Sequence, residues 1–214
     1  DLRMSRGLGD VYKRQLLYSL LQKQEHDFHL RLRPVRIAMP VNLRRFFPSK
    51  TLRNFITMVY PSIDPRLGDY TFEEIVTQVL HYMRYYINSK FLRGDITTNA
   101  STQRNPLIRI VPLFLKDFVV RQFYQRVQDK NSSAGLTNMG AIRVPDDMKP
   151  YLERFDIYMG IPYSQRTNCA IVSFEDTLTV NFASCIIEAD VERRFFQKLV
   201  EDGIPVTIES NREL

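Results

Sequence analysis

Tryptophan is absent, cysteine occurs twice and glycine only eight times in 214 residues. Each scarcity excludes something. Two cysteines cannot staple a small secreted disulfide module. Cys169 and Cys185 lie in the strand-like runs TNCAIVSF and VNFASCII, so both are expected as buried, reduced thiols. No Cys-x-x-Cys occurs, which removes the usual zinc spacing. The glycines never gather into a phosphate-cradling loop. No run of about 18 apolar residues exists. Even the greasy stretch Ile108–Val120 carries Arg109, Lys116 and Asp117, so no membrane span is expected. The first fifteen residues lack the apolar core of a secretory leader, and a reducing cytoplasm is the expected compartment.

What is present is a globular composition. Apolar residues make up 44%, and 14 Phe with 11 Tyr offer far more burial than a disordered chain. A chain of this length buries roughly 70% of its surface on folding, so no staple is needed. Thirty basic against 24 acidic residues leave a net charge of +6. In runs such as YLERF and VERRFFQKL the bases alternate with acids and apolars. A mixed solvated surface follows, with no nucleic-acid stripe, though the excess suits a phosphate-bearing ligand.

Segment Ser5–Gln15, SRGLGDVYKRQ, resembles the translation of a transposase-type sequencing adapter. Residues 1–15 are therefore set apart as foreign, and residues 16–214 are read as the fold. The resemblance implies a gene cut before Leu16, with the natural protein continuing upstream.

Leu16–Glu25 has helical spacing of apolar residues. Arg33–Val41 alternates as a strand, with Pro40 marking its end or an edge. Asn42–Asn54 reads as a basic and aromatic loop, and Ile56–Tyr60 as a strand closed by Pro61. Thr71 and Glu74 form a capping box before the stripe Phe72, Ile75, Val76, Val79, Leu80, Met83, Ile87, which leaves His81 off the apolar face. Gly94–Asn105 is a polar stretch. Leu107–Val127 reads as helical, with Pro112 as a breaker or boundary. Asp129–Ala134 is a turn or loop. Strands are expected at Gly135–Val144, Phe155–Gly160, Thr167–Phe174, Thr177–Ala183 and Pro205–Glu209. Glu175–Asp176 is a hairpin turn. Asp146–Glu153 reads as a short helix, and Asp190–Asp202 as a helix stopped by Gly203. The class is α+β, or mixed α/β.

No complete active site is visible. No G-x-S-x-G elbow occurs. His26 and His29 share a possible helical face but lack a third metal ligand, so no metal site is expected. Two short blocks stand out: Pro40–Arg44, PVNLR, directly after a strand, and Thr137–Gly140, TNMG, at the head of another strand. The plain structural reading is that Asn satisfies backbone groups and Gly allows close backbone approach.

Together with their surroundings, RPVRIAMPVNLRRFFPSKTLRNF, LTNMGAIRVPDDMKPYLERFD and LTVNFASCIIEADVERRFFQKLVEDGIPVTIES, these blocks resemble the C-terminal half of chloramphenicol-acetyltransferase-fold acyltransferases. The nearest likeness is to bacterial alcohol acetyltransferases. The resemblance implies the C-terminal subdomain of a two-lobed sandwich enclosing a channel. It implies an acyl group, acetyl foremost, passing from a coenzyme A thioester as co-substrate to a small-molecule alcohol. The general base of that superfamily is the His of a His-x-x-x-Asp motif in the N-terminal lobe. This sequence has no such motif: four positions after His26, His29 and His81 come Leu30, Arg33 and Tyr85. No catalytic residue is therefore assigned, and the chain is expected to be inactive without the missing N-terminal lobe. By the same resemblance Thr137 and Asn138 are candidate substrate-binding residues. Asn42, Arg44 and Gly140 are structural candidates, Arg44 as the partner of the missing motif's Asp. The alternatives are a condensation-type module fed by carrier-protein thioesters, or a non-catalytic binding protein of the same fold.

Overall fold

The computed structural model describes residues 16–21, 33–104, 112–128, 132–161 and 165–211. The adapter-like segment, His26, His29 and the expected helix beyond Leu21 lie outside these residues.

A six-stranded mixed sheet forms the centre. Its strands are β1 (Val35–Asn42), β2 (Ile56–Val59), β3 (Ser62–Ile63), β4 (Ala134–Ala141), β5 (Thr167–Phe174) and β6 (Thr177–Ser184). The order is β2-β1-β4-β5-β6, with β3 also on β1. Strands β1, β4 and β5 run parallel, while β2 and β3 pair antiparallel to β1, and β6 antiparallel to β5. The helices are α1 (residues 16–21), α2 (Phe72–Tyr86), α3 (Ser89–Arg104), α4 (Leu113–Gln128) and α5 (Asp190–Glu201). The α+β class is thus the observed one.

One sheet face carries the core. Val35, Ile37 and Met39 of β1, Leu136 of β4, and Cys169 and Ile171 of β5 meet Leu16, Leu17 and Leu21 of α1, Ile75 and Val79 of α2, and Val191, Phe195 and Leu199 of α5. Side chains two apart along a strand share a face, so the odd residues of β1 and β5 face these helices. Phe195 is fully buried, its ring edge-on to Phe182 of β6.

Helix ends follow local chemistry. The Thr71 hydroxyl accepts from the Glu74 amide at 3.3 Å, and the Glu74 carboxylate accepts from the Thr71 amide at 2.7 Å. Gly203, at φ 80°, closes α5: its amide donates to Val200 O and that of Ile204 to Leu199 O. Pro112 marks a boundary, its carbonyl accepting from the amides of Leu115 and Lys116 in the first turn of α4.

Pro40 lies inside a central strand, against the expectation of an end or edge. The Leu43 amide donates to Phe55 O, which sets the parity of the β1–β2 ladder. Pro40, opposite Met58, then has its nitrogen turned away from β2 and towards β4. Recorded β1–β4 pairs stop at Ala38↔Gly135, two residues before the missing donor.

Other expectations fail for physical reasons. Residues 94–104 belong to α3, a polar helix. The Asn88 side chain caps it, accepting from the amides of Lys90 and Phe91 at 3.0 Å each. Residues 146–151 form a turn and one 3-10 turn, Lys149–Tyr151. An α-helix begun at Asp146 would need a bond from the Pro150 nitrogen, which has no proton. Residues 155–160 alternate half-buried and exposed but join no ladder. They lie across the second sheet face: Phe155 packs edge-on to Phe174, and Gly160 O accepts from Asn168 Nδ2 at 2.8 Å. Residues 205–209 form no strand either. Cys169 is buried, but Cys185 is exposed because it lies just past the end of β6.

Candidate functional site

The two sequence blocks come together at one end of the sheet. PVNLR ends β1, and TNMG ends β4, its parallel neighbour, rather than heading a strand as expected, because β4 begins at Ala134 and closes at the Gly140 bulge. The pairing starts at Ile37↔Ala134 and Ala38↔Gly135 and is not continued. Yet β1 stays paired to β2 through Asn42, and β4 to β5 through Ala141. The sheet therefore forks between β1 and β4 at their carboxyl ends. In sheets containing parallel strands such an opening is where ligands enter.

Asn42 is exposed at the end of β1. Its Oδ1 accepts from the Arg44 amide at 3.0 Å and caps the one-turn 3-10 helix Leu43–Arg45. Arg44 is also exposed. Its Nη2 donates to Thr51 O at 2.8 Å and Arg53 O at 2.6 Å. The guanidinium thus ties the following loop to the end of β1.

Thr137 pairs with Ala170, and Asn138 with Ile171. Adjacent strand residues point to opposite faces, so the two do not line one surface. Thr137 shares the second face with Ala38, while Asn138 stands on the core side. Asn138 Oδ1 accepts from the Gly140 amide at 2.8 Å. Gly140 has φ 74° and sits where the β4–β5 register shifts past Met139. Its glycine is required by this bulge conformation, which L side chains disfavour.

Three features here were not read from the sequence. The first is a buried polar tie at the opposite end of β4: Asn168 Oδ1 accepts from the Gly135 amide at 2.8 Å. A Cβ on Gly135 would lie 2.7 Å from that oxygen. The second is the reach of a concentration of charge, of which only the basic loop Asn42–Asn54 was read. Between Asp27 and Asp64 stand Arg31, Arg33, Arg36, Arg44, Arg45, Lys50 and Arg53, with no acid among them. Interleaving of opposite charges fails for this stretch. The third is a shallow surface depression of about 450 Å³ along α2, lined by Tyr70, Glu73, Glu74, Thr77, Gln78 and His81. His81 is exposed there, as its position off the stripe implies.

The chemistry of the fork is hydrogen bonding rather than proton transfer. Asn42, Arg44, Thr137 and Asn138 offer amide, guanidinium and hydroxyl groups that donate or accept hydrogen bonds. Burial, with the Glu192 charge adding to it, pushes the Cys169 thiol well above its ordinary range, so it is no nucleophile. Among the described residues no cluster could hold a metal ion, and no helix is long and apolar enough to cross a membrane.

No protein-family model matches the chain, and no curated protein matches it as a relative.

Proposed function

We propose that this chain forms the C-terminal lobe of an O-acyltransferase of the chloramphenicol-acetyltransferase fold, carrying an acyl group, acetyl foremost, from coenzyme A to an alcohol. One observation supports this reading above the others: the PVNLR and TNMG blocks end neighbouring parallel strands exactly where the ladder opens. The fork is then one wall of the acyl channel. Acyl transfer passes through a tetrahedral oxyanion, and the Thr137 hydroxyl on the second face is a donor for it or for the acceptor alcohol. Asn138 acts indirectly, by holding the Gly140 bulge that shapes the strand end. Arg44 fixes the loop beside the fork and retains guanidinium donors for a carboxylate of the partner lobe. The general base is the His of a His-x-x-x-Asp segment outside these 214 residues.

The test is an assay of the protein encoded when the gene is extended upstream of the Leu16 codon, using acetyl-CoA and a panel of alcohols. Expected are turnover by that longer protein and none by the 214-residue chain alone. In the longer protein, Thr137→Val should lower kcat by about tenfold or more, with KM for acetyl-CoA nearly unchanged. Turnover by the short chain, or by the longer protein only with carrier-bound thioesters, would overturn the proposal.

A further inference from the structure

The loop after β1 presents an apolar residue on a basic platform. Arg44 draws down the carbonyls of Thr51 and Arg53, on either side of Leu52. Two side chains brace the same turn: Ser49 Oγ accepts from the Thr51 amide at 3.3 Å, and Thr51 Oγ1 accepts from the Arg53 amide at 3.2 Å. With its neighbours held inward, Leu52 stands fully in solvent, at 102% relative exposure. Phe46, on the same loop, is 36% exposed. Arg45, Lys50 and Arg53 belong to the same loop and are exposed. Among the described residues, the ion pairs all lie elsewhere. The loop contains no acid.

We propose that this loop docks the protein on an anionic lipid bilayer, with Leu52 and Phe46 entering the headgroup boundary and Arg45, Lys50 and Arg53 facing anionic headgroups. A fully exposed aliphatic residue on a loop whose charged residues are all cationic favours this occupant. A single-stranded nucleic acid stacks its bases on exposed aromatic rings, whereas the fully exposed residue here is the aliphatic Leu52 and Phe46 is only 36% exposed. A bilayer rewards both features: apolar insertion and electrostatic attraction add. Each cation near an anionic surface raises affinity by about fivefold. Insertion of Leu52 raises it by about tenfold. The docking needs no spanning helix and does not depend on the acyltransferase reading.

The absence of tryptophan makes the test direct. Leu52→Trp places a single indole at the tip, where full exposure keeps the fold unaffected. Vesicles of phosphatidylcholine containing phosphatidylglycerol should shift its emission to the blue, while vesicles of phosphatidylcholine alone should shift it far less. In co-sedimentation of the otherwise unaltered chain, Leu52→Asp should weaken binding to the anionic vesicles by about tenfold. Lys50→Glu with Arg53→Glu should weaken it at least as much, and added salt should weaken the unaltered chain. No blue shift, equal binding to neutral vesicles, or a shift caused by RNA or an acidic peptide but not by vesicles would each overturn the proposal.

Discussion

Asn168 is 1% exposed and bonds in two directions, accepting from the Gly135 amide and donating to Gly160 O. One buried amide thus joins β4, β5 and the extended segment over the second face. Asn168→Ala leaves the buried Gly135 amide unpartnered and releases the exposed Gly160 carbonyl, at a cost of about 1–3 kcal/mol. Gly135→Ala drives a methyl into the same oxygen and breaks the same bond. The two losses overlap, so the double variant should be less destabilised than the sum by about 1 kcal/mol or more. Urea denaturation of the four proteins measures this. Additive losses would show that the amide is not the shared element. In TNCAIVSF this asparagine is masked by an apolar run, and only the long-range register with β4 reveals what it meets. Arg44 was expected, on the resemblance, to meet a carboxylate of the missing lobe; the loop carbonyls of Thr51 and Arg53 that it grips were not legible. At Gly140 the residue was legible and its reason was not: a bulge at positive φ, rather than close packing, demands it.

Elements bounded by local chemistry were the legible ones. The capping box of α2, the Gly203 stop of α5 and the two-residue turn Glu175–Asp176 between β5 and β6 each declare a boundary within a few residues. Helix α3 was hidden because only its Leu92 is buried among its described side chains, leaving little periodicity to read. Its hydroxyls fold back instead, Thr97 donating to Arg93 O and Thr98 to Gly94 O. Residues 155–160 show the opposite failure: lying flat on a sheet face produces the same alternation as a ladder. This segment is tied to the chain after α5 by Arg154, which donates to both oxygens of Glu209 at 2.7 Å and also pairs with Asp156. The guanidinium holds the Glu209 carboxyl below its ordinary value of 4.5. A depressed carboxyl contributes stability above the unfolded value and loses it as pH falls through the folded one. The pair is exposed, so the effect is small. Carboxyl carbon shifts followed by NMR should show Glu209 titrating below 4.5, and Arg154→Met should return it to about the ordinary value. An unchanged midpoint in the variant would remove Arg154 as the cause.

At the scale of the whole molecule, the fork could not be read from the sequence. Among the described residues three helices separate the strands that form it, and their adjacency is settled by the shared core under the sheet. The residue pattern put PVNLR after a strand but TNMG at the head of one, so their meeting at one end of the sheet appears only in the register of β1 and β4. The same distribution of burial leaves apolar surface uncovered. On the second face Ile56 and Met58 of β2 are 48% and 38% exposed. On α4, Leu113, Phe114, Leu115 and Phe118 are exposed as well. Patches of this kind drive association when nothing covers them. A net charge of +6 gives only weak repulsion once salt screens it. Sedimentation velocity of the 214-residue chain should therefore show association that grows with concentration and persists at high salt. Phe114→Glu with Phe118→Glu should shift the distribution towards monomer without lowering thermal stability, since neither ring is buried. Association that instead disappears in high salt, and is indifferent to these two changes, would trace it to the charged stretch rather than to exposed apolar surface.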